Sequence, residues 1–166
     1  MAARRVTGWR RLGLAMLLAA GSAVAQTQGQ TAAPVPAPPG FDEALAARTG
    51  ADEHGMRSYV FVLLRTGPNR MPDGPARDEM FRGHFANMKR LAEAGQLVLA
   101  GPFDGVEGWR GLFILAVKDV EEARRLAATD PVLASGEMVA EYHRYFGSAA
   151  LVMVNELHAR LARKPF

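Results

Sequence analysis

The stretch Arg82–Phe103, RGHFANMKRLAEAGQLVLAGPF, decides how the rest of the chain is read. It has the pattern of the end of an amphipathic helix, a glycine stop at Gly95, and a strand that closes on Gly101-Pro102. At about 100° per residue from Met80, the residues Leu91, His84, Met88, Phe81, Ala92 and Phe85 fall within an arc of roughly 140°. Lys89, Arg82, Glu93, Ala86, Arg90, Ala94 and Asn87 fill the other side. His84 lies inside the apolar stripe, between Leu91 and Met88 in angle. A helix that covers a sheet turns such a stripe inward, so the imidazole is expected in the interior.

On the N-terminal side, Tyr59–Leu64 (YVFVLL) is a continuous apolar run rich in β-branched and aromatic residues, the pattern of a strand buried on both faces. Thr66–Pro75 is dense in Gly, Pro, Asn and Asp and reads as a loop. The helix then runs from about Ala76 to Ala94, with Asp78 and Glu79 at its positive end. Residues 96–100 give a second strand, and Leu112–Val117 (LFILAV) a third, joined by a Gly-rich turn as a hairpin. Asp119–Ala128 opens with an Asp cap and a Glu three residues later. Asp130-Pro131 suits the opening of one further helical turn, closed by Gly136. Glu137–Tyr145 is the fourth strand. From Ser148, Leu151, Val154, Leu157 and Leu161 recur at helical spacing. The order β-α-β-β-α-β is the ferredoxin-like α+β arrangement, here with an extra C-terminal helix. Its central strands are the first and third, and those are the two continuous apolar runs.

The ends of the chain have a different character. Arg4, Arg5, Arg10 and Arg11 precede an apolar run, Leu12–Val24, and the small-x-small triplet Ala23-Val24-Ala25. Residues 1–25 thus read as an export signal cleaved after Ala25, with an uncleaved N-terminal anchor as the alternative; cleavage implies a periplasmic protein with no membrane attachment once the signal is removed. The full chain carries +3. The signal holds four arginines and no acids, so +3 less four leaves −1 on the mature chain. That balance gives no basic face for nucleic acid. Residues 26–56, rich in Pro, Ala and Gln at first, read as a largely disordered linker. Within it, Phe41–Arg48 has the pattern of a short helix behind an Asp42 cap. There is no cysteine, so stability must come from a packed core or from association. Both faces of the central strands are apolar while both connecting helices lie on one face. A second copy packed sheet on sheet, giving a homodimer, is the expected cover; the C-terminal helix of the same chain is the rival.

The strand YVFVLL, the helix carrying His84, the run EAGQLVLAGPF, the strand GLFILAV, the helix VEEARRLAATDP and the LASG turn occur in an order that resembles the YCII-related (YciI-like) family, here as an exported member. The resemblance spans residues 57–147, followed by the helical tail 148–166. It implies a ferredoxin-like fold that dimerises into an α+β barrel, and a site built on His84 and on Asp130 beside Pro131. Most members have no established activity; for some relatives the proposed action is on lactones, by isomerisation or by elimination of HCl from a chlorinated lactone.

Each candidate has a plain alternative. His84 is either a general acid-base group oriented by a carboxylate or a core histidine satisfied by hydrogen bonding. Asp130 is either its partner or a helix cap alone. Glu93 lies about 180° from His84 on the helix and is no partner. Asp104 and Arg65 read as a turn residue and a solvated strand end. His54, His84, His143 and His158 show no close ligand spacing, so neither a metal nor a cofactor is expected. Two functions follow: a cofactor-independent isomerase or lyase using His84 and Asp130 on a small lactone-like molecule, or a non-catalytic dimeric module that binds a small ligand or a partner.

Overall fold

The structure, a computed structural model, describes residues 37–164. The expected export signal and the first part of the expected linker lie outside those residues. Within them the order is α1 (Glu43–Thr49), β1 (Met56–Thr66), α2 (Pro75–Glu93), β2 (Leu97–Pro102), β3 (Trp109–Leu115), α3 (Val120–Ala127), α4 (Pro131–Ala134), β4 (Met138–Ser148) and α5 (Val154–Leu161), with a 3-10 turn at Ala149–Met153 before α5. The four strands form one antiparallel sheet in the order β2-β3-β1-β4. The fold is the expected ferredoxin-like α+β arrangement, with the two continuous apolar strands at the sheet centre.

Alternation along β1 sorts the core into two layers. Val60, Val62 and Leu64 pack with Phe113, Leu115, Met80, Leu91 and Val132 beneath the helices. Tyr59 packs with Val98 and Ile114 on the opposite face, joined by Phe61, Leu112, Leu151 and Val152. Leu151 and Val152 belong to the C-terminal segment, and Asn155 Nδ2 donates to the Leu97 carbonyl at 2.7 Å. The chain's own tail thus covers the end of the second face around Tyr59, Val98 and Ile114. Val139 and Tyr145 on β4 stay exposed, at 43% and 41%.

The linker boundary expected at residue 56 moves. α1 forms inside that segment, capped by Asp42 on the Leu45 N–H and ended by Gly50 in the left-handed conformation. It is ordered because Thr49 is buried and because Arg57 from β1 donates to the Thr49 carbonyl at 2.8 Å. Such a short helix gains its stability from these tertiary contacts, which local propensity does not contain. Among the described residues, no helix is long and apolar enough to cross a membrane.

A buried histidine-aspartate pair between helix and sheet

Met80, His84, Asn87 and Leu91 are the buried residues of α2. His84 is inward as expected, only 7% exposed. Two neighbours differ from the helical-angle expectation. Phe85, expected within the stripe, is 55% exposed, while Asn87, expected on the polar side, is 8% exposed. The buried residues centre near Met80 and Leu91, so Phe85, about 140° from Met80, falls outside the covered face.

Asp130 comes from the turn between α3 and α4 and is fully buried. Its backbone is tied on both sides, since its N–H donates to Ala127 and its carbonyl accepts from Leu133 and Ala134. Its carboxylate caps α4 by accepting the Val132 N–H at 3.1 Å. The same carboxylate faces His84: Nδ1 lies 2.7 Å from Oδ2 and 2.9 Å from Oδ1. The cap and the histidine partner, two alternative explanations for Asp130, are one arrangement. A ring nitrogen facing two carboxylate oxygens carries a proton and donates it, so in the neutral imidazole the lone pair is on Nε2. Phe113 stacks on the imidazole at 6.1 Å and 28°, Phe81 meets it edge-on at 6.0 Å, and Phe85 lies 5.4 Å away. The side chain keeps 9% of its surface. The sealed side-chain nitrogens without a partner among the described residues are Arg77 Nε and Asn87 Nδ2, and Nε2 of His84 is not one of them.

The other candidates lie elsewhere. Arg65 pairs with Glu141 at 2.9 Å on the strand surface. Asp104 accepts the Val106 N–H within its own turn. It also lines an open depression with Phe103, Val106, Glu107 and Trp109, to which neither His84 nor Asp130 contributes. Among the described residues no group of three or more His, Cys, Asp or Glu is arranged to hold a metal ion.

A second buried charge, connected to His84 through Arg77 and Phe81, is not among the residues singled out from the sequence. Glu137 is fully buried, accepts from Arg77 Nη2 at 2.7 Å and accepts the Met71 N–H at 2.7 Å. Burial pushes its carboxyl up, but the Arg77 and Met71 hydrogen bonds, with the charges of Arg77 and Arg110, outweigh it and hold the group below its ordinary 4.5. The hydrogen bond to Glu137 likewise raises Arg77. Around this pair the β1–α2 loop is stitched to the start of β4. Gly67 and Asn69 donate to the Glu137 and Gly136 carbonyls, and a Cβ on Gly67 would overlap the Gly136 carbonyl. Arg77 lies over the Phe81 ring at 4.8 Å, and Phe81 touches His84. One signal was present in the sequence: Arg77 falls about 60° from Met80, inside the apolar arc, where a charge requires a partner.

A family model of the YCII-related domain matches residues 58–143. The chain belongs to the YCII-related family. An uncharacterised protein of Bacillus subtilis, YjpA, is 28% identical over 81 residues, which cover 49% of this chain and 85% of that protein. Among solved structures, the chain is similar to the 5-chloro-2-hydroxyhydroquinone dehydrochlorinase TftG of Burkholderia phenoliruptrix, in complex with 2,5-dihydroxybenzoquinone. That match has 17% identity and a TM-score of 0.38, covering 52% of this chain and 92% of that one.

Proposed function

We propose that this YCII-related protein is an exported, cofactor-independent isomerase or lyase in which His84 moves a proton on a small lactone-like molecule. The observation that carries the reading is the contact of His84 Nδ1 with both oxygens of a fully buried Asp130. Asp130 holds the ring in one orientation and one tautomer, leaving Nε2 to accept a proton from a carbon next to a carbonyl. The imidazolium so formed keeps its contact with the carboxylate. Returning the proton to another carbon completes an isomerisation; departure of a leaving group from the neighbouring carbon, with the electron pair of the broken C–H bond forming the double bond, completes an elimination. Export rests on residues 1–25. The functional unit is a homodimer, with a second copy on the part of the sheet that the tail leaves open.

The reading of His84 as a structural residue in a non-catalytic binding module has its own support. Three phenylalanines crowd the ring, and the open depression at Phe103 and Trp109 lies away from it. A thermal-shift screen of lactones and their open-chain acids on the mature protein separates the two. A ligand that raises the midpoint of the wild type and not of His84→Gln supports the catalytic site. Equal shifts in both proteins remove His84 from binding.

A further inference from the structure

We propose that Gly83 and the Asn87–Arg90–Thr129 cluster form a clamp that sets the separation of His84 and Asp130, an inference that rests on reading that pair as the site. The two residues are 46 positions apart and come from a long helix and a short turn, so their contact needs the two backbones held at a fixed approach. Two contacts supply it, one on each side of the pair. Before His84, Gly83 lies against Pro131, the residue after Asp130; a Cβ at Gly83 would stand 2.9 Å from Pro131 Cγ. After His84, Asn87 lies against Thr129, the residue before Asp130, with Asn87 Oδ1 2.9 Å from Thr129 Oγ1.

Each contact carries a cost that burial alone would not require. A glycine inside a helix is about 1 kcal/mol worse than alanine, yet only glycine admits the proline ring so close to α2. Asn87 is 8% exposed and its Nδ2 is sealed without a partner among the described residues, where an apolar residue would lose nothing. Its Oδ1 has a use: Arg90 Nη2 donates to it at 2.7 Å and to Thr129 Oγ1 at 3.0 Å. The Thr129 hydroxyl proton has a second acceptor in the Leu126 carbonyl at 2.7 Å. The Arg90 bridge ties Asn87 to Thr129 whichever acceptor takes it. Gly83, Asn87 and Thr129 are positioning residues, since none of them touches the reacting nitrogen. Such groups matter because productive geometry is held within about 0.5 Å.

The test reads the His84 ring itself and needs no substrate. The Nδ1–H resonance is recorded by proton-nitrogen NMR on the mature chain and assigned by its loss in His84→Gln. It is then followed in Thr129→Ser, Thr129→Val and Gly83→Ala. The serine variant keeps the hydroxyl and is expected to match the wild type. In Thr129→Val and Gly83→Ala the Nδ1–H is expected to move upfield and to exchange with solvent about tenfold faster, with the sheet amides unchanged. Gly83→Ala is also expected to lower the melting temperature, against its better helix propensity. If Gly83→Ala does not fold, Thr129→Val, on an exposed turn, decides alone. An unchanged resonance in Thr129→Val and any folded Gly83→Ala overturns the clamp and leaves the His84–Asp130 chemistry standing. A wild type with no such resonance overturns both.

Discussion

Asp130 performs two tasks with one carboxylate, and substitution separates them. Asp130→Ala removes the acceptor for the Val132 N–H, a loss of about 1 kcal/mol for a helix cap. It also strands the His84 Nδ1–H in the interior, worth about 1–3 kcal/mol. The expected loss of stability in urea is thus about 2–4 kcal/mol. Asp130→Asn keeps an oxygen for both donors and is expected to lose about 1 kcal/mol. Equal losses in the two variants would contradict the dual role. At this scale the direction of His84 was readable, because its angle lies deep within the apolar stripe on either estimate of where the stripe is centred. Asn87 and Phe85 were not. A helical wheel weighs only the apolar residues of its own helix, whereas Asn87 is buried because Thr129, 42 residues away, offers it a partner.

The Arg77–Glu137 pair joins the first turn of α2 to the residue before β4, and its effect on stability has a definite sign. The folded-state pKa of Glu137 lies below its ordinary 4.5. The pair's contribution is therefore fully present above about pH 4.5 and is lost as pH falls through the lower folded value. Arg77→Met leaves a buried carboxylate without its cation, an expected loss of about 3 kcal/mol at pH 7. In that variant burial dominates and raises the Glu137 pKa, so protonation relieves the penalty. The gap between variant and wild type is expected to narrow as pH is lowered from about 7 to 4, measured by urea midpoints. A gap that stays constant or widens would contradict this account. The elements themselves were largely readable, since the caps at Asp119, Asp130 and Gly95 are local signals. α1 was readable only as a pattern, because its order depends on Arg57 and on the buried Thr49.

For the molecule as a whole, helices on one face of the sheet and apolar strands on both set the unresolved demand for cover. The chain's own tail meets part of it, through Leu151 and Val152, and the tail's reach could not be read from helical spacing alone. Val139 and Tyr145 mark the surface assigned to a second copy. Light scattering at micromolar concentration is expected to give a dimer for the mature chain and a monomer for Val139→Lys; a monomeric wild type would contradict the assignment. Proton transfer between the enclosed imidazole and a small molecule at Nε2 is the expected chemistry. It is tested most directly by incubating the mature protein with a panel of lactones in deuterated water and following deuterium uptake at carbons next to the carbonyl. The account predicts enzyme-dependent uptake for at least one lactone, slowed about 100-fold or more in His84→Gln, the usual scale of a lost acid-base group. Uptake equal in the two proteins would contradict it.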